Sequence, residues 1–170
     1  GSVRNRLMLA LGIDPGTATV GYGIVRDLPD GTFEAVTYGV ITTPAKMPMH
    51  ERLKLIYDGI SSLIEIYQPE RAAIEAMFFG KNITTAITVA QGRGVALLAL
   101  ANANLPIHEY KPAEIKQSVS GFGAAPKEQM QEMVRMLLSL ESIPKPDDAA
   151  DGLAIAITDI NNSRYASLME

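Results

Sequence analysis

Leu7-Met-Leu-Ala-Leu-Gly-Ile-Asp-Pro-Gly16 is a continuous apolar run that stops at an aspartate and a turn. Seven apolar or small residues without alternation predict a strand buried on both faces, and Asp-Pro-Gly predicts the turn that ends it. A strand of that kind sits at the centre of a sheet with helices on each side. Outward from it, Val20–Arg26 and Thr32–Thr43 read as two strands, and Pro29-Asp-Gly31 between them favours an antiparallel hairpin. Met49–Tyr67 carries Leu53, Ile56, Ile60, Leu63 and Ile64 at helical spacing. Arg71–Phe78 returns to strand character, Asn82 is placed to cap a helix running to about Ala103, and Pro106–Tyr110 is a short strand. Helices near Pro112–Val119 and Pro126–Leu140 follow, and Ile143-Pro-Lys-Pro146 resets the chain before a last helix. The order predicts an α/β fold: a mixed five-stranded sheet flanked by helices on both faces.

Bulk properties narrow the function classes. At 170 residues and 47% hydrophobic composition, one domain spanning residues 1–170 is expected. Gly1-Ser2 resembles an expression scar, residues 1–6 are expected to be flexible, and residues 161–170 read as a short tail. The absence of cysteine excludes thiolate metal sites and fits a reducing cytoplasm, and two histidines, His50 and His108, make a His-based zinc site a poor fit. No apolar run approaches the ~20 residues of a membrane span and no signal-peptide layout is present, so a cytoplasmic protein with no membrane partner is expected. A net charge of -4 argues against wholesale nucleic-acid binding and requires any such activity to be local.

Four carboxylates stand out. Asp14 ends the first strand, and Glu75 interrupts Ala72-Ala-Ile-Glu-Ala-Met77, where a lone ionised carboxylate costs several kcal/mol unless paired or metal-bound. A salt bridge from Arg71 or Arg93 is the ordinary alternative for Glu75. Asp148 and Asp151, three apart at the start of an apolar segment, share a helix face and point at one spot. Helix capping is the bland account of that pair. Taken together, four acids at element ends offer an oxygen-only donor set suited to Mg²⁺ or Mn²⁺ and large enough for two ions, the arrangement used in phosphodiester hydrolysis.

Gly12-Ile-Asp-Pro-Gly-Thr17 with Gly21-Tyr-Gly23, Ile74-Glu75 followed by Phe78 and Lys81-Asn82, Gln91-Gly-Arg-Gly94, and Asp148-Ala-Ala-Asp151 closely resemble, in order, the motifs of the RuvC family. These are bacterial Holliday junction resolvases with a ribonuclease H-like fold, and the resemblance runs from about Leu9 to Thr158. It implies that Asp14, Glu75, Asp148 and Asp151 hold two Mg²⁺ or Mn²⁺ ions per subunit; the fourth of these positions, that of Asp151, varies within the family. Asp147 matches no family acid and reads as a cap or a solvated charge. The resemblance implies Lys116 at the reacting phosphate, Lys127 for phosphate positioning, Phe78 stacking on bases, and Lys81 and Arg93 as further DNA contacts. Phe79 is the alternative ring to Phe78. The Ser118–Ala125 loop, with Gly121 and Gly123, lets backbone approach a phosphate.

The resemblance further implies four-way junction DNA as substrate, symmetric nicking of paired strands in recombination and repair, a homodimer formed through the Asn82–Ala103 helix, and a branch-migration helicase partner. Two bound divalent ions would cancel the formal charge. Two other classes compete: an actin/Hsp70-like ATPase, because Asp-Pro-Gly-Thr before a hairpin resembles a phosphate loop, and a junction-binding scaffold without chemistry. The ATPase needs a second lobe for which 170 residues leave no room.

Overall fold

A computed structural model of the chain describes residues 8–77 and 83–169. The expectations placed on residues 1–6, Phe78, Phe79, Lys81 and Asn82 lie outside the described residues. In chain order the elements are β1 (Leu9–Asp14), β2 (Thr19–Asp27), β3 (Phe33–Thr42), α1 (Met49–Tyr67), β4 (Arg71–Glu75), α2 (Ile83–Asn102), β5 (Ile107–Tyr110), α3 (Pro112–Ser120), α4 (Lys127–Leu137) and α5 (Asp147–Leu168). The sheet has the order β3-β2-β1-β4-β5, with β1–β2 and β2–β3 antiparallel and β1–β4 and β4–β5 parallel. β1 is central, as its unbroken apolar run requires.

Strand parity sorts the core into two layers. Leu9, Leu11 and Ile13 of β1, with Ala72 and Ile74 of β4, pack against Ile56 and Ile60 of α1 and Ala96, Ala99 and Leu100 of α2. On the opposite face Ala10 and Ala73 join Leu153, Ala156, Ile157 and Ile160 of α5, with α3 and α4 outside them. α5 is buried nearly all round from Ala149 to Ile160, which is why its sequence lacks a polar stripe over that stretch.

Small residues set how near α5 lies to the sheet. A Cβ built on Gly12 would overlap the carbonyl oxygen of Gly152, one on Gly21 would overlap the backbone of Asp148, and one on Gly152 would stand 2.5 Å from the carbonyl carbon of Tyr22. Backbone therefore meets backbone along this contact. α2 approaches the turn after β1 in the same way: Gly92 abuts the Gly16 carbonyl, and the Thr17 hydroxyl donates to the Thr88 carbonyl at 2.5 Å.

Two helix boundaries and one expectation about hydropathy differ from the sequence reading. α4 ends at Leu137 rather than Leu140, because Ser139 turns left-handed (φ 54°) and the Leu140 amide bonds back to the Arg135 carbonyl. Residues 161–168, read as a tail, continue α5, where Arg164 binds Asp27 and stacks over the Phe33 ring. The expectation that no segment is long and apolar enough to span a bilayer fails, by length and composition, for α2: its 20 residues contain an 18-residue window with a mean hydropathy of 1.4, of which 28% is buried. One side of α2 packs on the sheet, and Ile83, Ile87 and Leu98 are exposed on the rest.

Candidate active site

Asp14 belongs to the parity of Ala10 and Gly12, and Glu75 to that of Ala73, so both point toward the face covered by α5. The parallel register pairs Ile13 with Ile74, and one further step along it sets Asp14 beside Glu75. The first turn of α5 reaches the same end of the sheet, seated by the contact between Gly21 and the Asp148 backbone. Asp14, Asp148 and Asp151 consequently bring carboxylate oxygens within 4.8 Å of one another. Glu75 adjoins this trio and feels the charges of Asp14 and Asp151.

Such crowding has an electrostatic signature. Burial, then the charge and hydrogen bond of Asp151, then Glu75 and Asp148, push the Asp14 carboxyl up to about 9. Asp151 and Glu75 are also raised, chiefly by burial; Asp148 adds to the first and Asp151 to the second. With no cation present, Asp14 keeps its proton and donates it toward Asp151, as two like charges sharing a site require. A cluster of oxygen donors that cannot all ionise alone fits a hard divalent cation, which removes the repulsion.

The ordinary alternatives for these acids give way to other partners. Arg71 is engaged by Asp159, a fully buried carboxylate on α5, through Nε at 2.6 Å and Nη2 at 2.8 Å; the Tyr110 hydroxyl donates to the same group at 2.6 Å. Arg93 donates to the backbone carbonyl of Glu75 and to the Glu109 carboxylate, both at 2.5 Å. Neither arginine neutralises the Glu75 side chain. Capping does not explain the aspartate pair either: the N-cap of α5 is Pro146, with no side-chain cap bond. Asp147 is no cap but the ion-pair partner of Lys127, at 2.5 Å.

Arg93, which the resemblance places among DNA contacts, is 9% exposed, and its guanidinium braces the end of β4 against β5. Lys116 is near enough to Glu75 for its charge to offset part of the rise there. Together with Glu75, Asp151 and Lys127 it lines a cleft of about 460 Å³ between α3, α4 and α5. Lys127 opens α4 across that cleft, feeling Asp148 and Asp151 as well as its partner. Gln131, which also lines the cleft and contacts Asp147, was missed, since one glutamine on an amphipathic helix carries no signal in sequence. Asp159 was missed too; a carboxylate closing an apolar helical run was its signal.

A mixed sheet in this strand order, with acids from its central strands meeting the start of a buried helix, defines the class: the ribonuclease H-like fold carrying a metal-dependent nuclease site. A family model described as crossover junction endodeoxyribonuclease RuvC matches residues 10–159. The crossover junction endodeoxyribonuclease RuvC of Chloroflexus aggregans is 60% identical over 151 residues, covering 88% of this chain and 91% of its own. The Thermus thermophilus RuvC structure in complex with Holliday junction substrate superposes with a TM-score of 0.89 at 33% identity, covering 94% of this chain and 96% of that one. A yeast mitochondrial Holliday junction resolvase, at 17% identity and a TM-score of 0.60, shares the fold. The chain belongs to the RuvC family of crossover junction endodeoxyribonucleases. Neither the ATPase nor the inactive scaffold is favoured by these relatives.

Proposed function

We propose that this chain resolves four-way DNA junctions by nicking paired strands symmetrically, with Asp14, Glu75, Asp148 and Asp151 holding two Mg²⁺ or Mn²⁺ ions. The observation that carries this reading is the convergence of three aspartate carboxylates from β1 and α5 within 4.8 Å, next to Glu75. Divalent cations held there supply an acidified water and neutralise charge on the reacting phosphate. The acids fix where the cations sit; Lys116, on the cleft wall beside Glu75, meets a phosphate oxygen in the cleft. Lys127 is held in reserve by Asp147 and exchanges that exposed carboxylate for a phosphate when the strand enters, a trade between surface ion pairs that costs little. Phe78 and Lys81 follow β4 in sequence, and by family resemblance they meet the junction bases and backbone. Arg93 acts behind the site, through the Glu75 carbonyl.

Two further proposals follow from the same reading. The chain forms a two-fold homodimer through α2, whose exposed Ile83, Ile87 and Leu98 share a face with Gly94, where a Cβ would meet nothing within 4 Å. It works as a single nuclease domain in the cytoplasm, beside a branch-migration helicase, by family resemblance; the shared sheet and its two helical layers support the single domain. Mapping cuts on a junction labelled in turn on each of its four strands tests the function. Cuts at matching positions on one opposed pair are expected; equal cutting of linear duplex would overturn it.

A further inference from the structure

Between Lys116 and Lys127, which line the cleft, the chain runs through Ser120-Gly-Phe-Gly-Ala-Ala125, of which Ala124 and Ala125 form part of the cleft wall. Its neighbours in sequence are anchored: Val119 is 3% exposed and Ala125 1% exposed, both inside the α3–α4–α5 layer. Phe122, between them, is 55% exposed. A single exposed apolar ring is common on protein surfaces; what sets Phe122 apart is its place in the turn that joins α3 to α4, next to a wall of the cleft.

The exposure is imposed by the backbone. Gly121 closes α3 in the left-handed region at φ 80°, with its amide donating to the Gln117 carbonyl at 2.9 Å and its carbonyl accepting from Gln117 Nε2 at 3.2 Å. The Phe122 amide donates to Ser120 Oγ at 3.2 Å, whose own hydroxyl donates to the Lys116 carbonyl at 2.7 Å. The Ala125 amide donates to the Phe122 carbonyl at 3.1 Å. Both backbone groups of Phe122 are thus satisfied within the turn, and the ring is held outward. The neighbouring Gly123 has no need of glycine from within the fold: its φ is not positive, and a Cβ there would approach nothing nearer than 3.8 Å. Gly123 thus leaves the surface beside the outward ring open, in a segment that runs between two lysines in sequence.

We propose that Phe122 is a positioning residue that stacks on a nucleobase of the strand whose phosphate occupies the cleft, fixing that strand laterally between Lys116 and Lys127. The inference rests on the junction-nuclease reading above. A second copy of this chain is not the occupant, because the exposed face of α2 belongs to the opposite layer of the sheet. An aromatic platform flanked by cations is the usual means of holding a single strand of nucleic acid.

The chain contains no tryptophan, so Phe122→Trp places its single tryptophan, selectively excitable over the six tyrosines, at the site in question. In an Asp14→Asn background, which keeps the DNA intact, a labelled four-way junction is titrated while its anisotropy reports binding and tryptophan emission reports stacking. Emission is expected to fall by half or more as the junction saturates. Phe122→Ala and Phe122→Leu are expected to weaken junction binding about 5- to 150-fold, the range equivalent to ~1–3 kcal/mol per stacked base, with Tm unchanged. Phe122→Tyr is expected to restore binding. Unchanged emission on a junction that anisotropy shows to be bound, or an alanine variant that binds within twofold of the parent, overturns the proposal. A parent that binds no junction at all overturns the nuclease reading and this inference with it.

Discussion

An ionised carboxylate at Asp14 faces Asp151, Glu75 and Asp148 in surroundings that exclude most water, which is why its pKa is pushed up to about 9 from an ordinary 3.8. Between those two values the folded state holds a proton that the unfolded state has released, so stability falls as pH rises through the interval from about 4 to 9. Asp14→Asn removes the group. The metal-free variant is expected to melt above the wild type at pH 8, with the gap shrinking toward pH 5; a gap that widens on acidification would contradict this. Mg²⁺ or Mn²⁺ is expected to raise the Tm of the wild type and not that of the variant. At this scale the sequence was legible wherever a charge stood in an apolar strand, as at Asp14 and Glu75, because burying it demands a partner. It was not legible at Arg93, whose charge is satisfied by a backbone carbonyl and by Glu109, two partners that only the pairing of β4 with β5 brings near. Phe122 was hidden for the converse reason, since a phenylalanine is ordinarily buried and its outward pose depends on local hydrogen bonds.

α5 is both the core of one layer and the carrier of two of the acids, so its seating couples stability to chemistry. That seating rests on backbone contact at Gly12, Gly21, Gly23 and Gly152, and a single methyl at Gly152 must push against the backbone of Tyr22 and Gly23. Gly152→Ala is expected to lower stability by about 1–3 kcal/mol in urea unfolding, the cost of overpacking a close contact. It is also expected to reduce cleavage more than junction binding, because Asp148 and Asp151 shift while the lysines of α3 and α4 keep their surface. A variant of wild-type stability and activity would show that the contact tolerates a Cβ. Element types were readable from periodicity: β1 from its unbroken apolar run, α1 from Leu53, Ile56 and Ile60. The length of α5 was not, because its second half, through Arg164, is held by Asp27 and Phe33 from β2 and β3, partners far away in sequence.

The molecule as a whole has a cleft with lysines on one layer of the sheet and an apolar helix face on the other. If α2 is the dimer contact, two sites related by a two-fold axis meet the two strands of a junction together. Leu98→Asp is expected to convert a dimer to a monomer in light scattering and to leave nicks on one strand unaccompanied by their partners; a dimer that survives this change with paired cutting would place the interface elsewhere. Net charge was a poor guide at this scale, because -4 averages over a surface on which clustered carboxylates sit next to lysines. The central claim is that the gathered acids perform the cleavage and are dispensable for recognition. Single-turnover cleavage of a four-way junction in Mg²⁺ by wild type and Glu75→Gln, with junction affinity measured in parallel, tests it most directly. The account predicts at least a hundredfold loss of cleavage with affinity kept within a few fold, whereas a Glu75→Gln enzyme that cuts at the wild-type rate would contradict it.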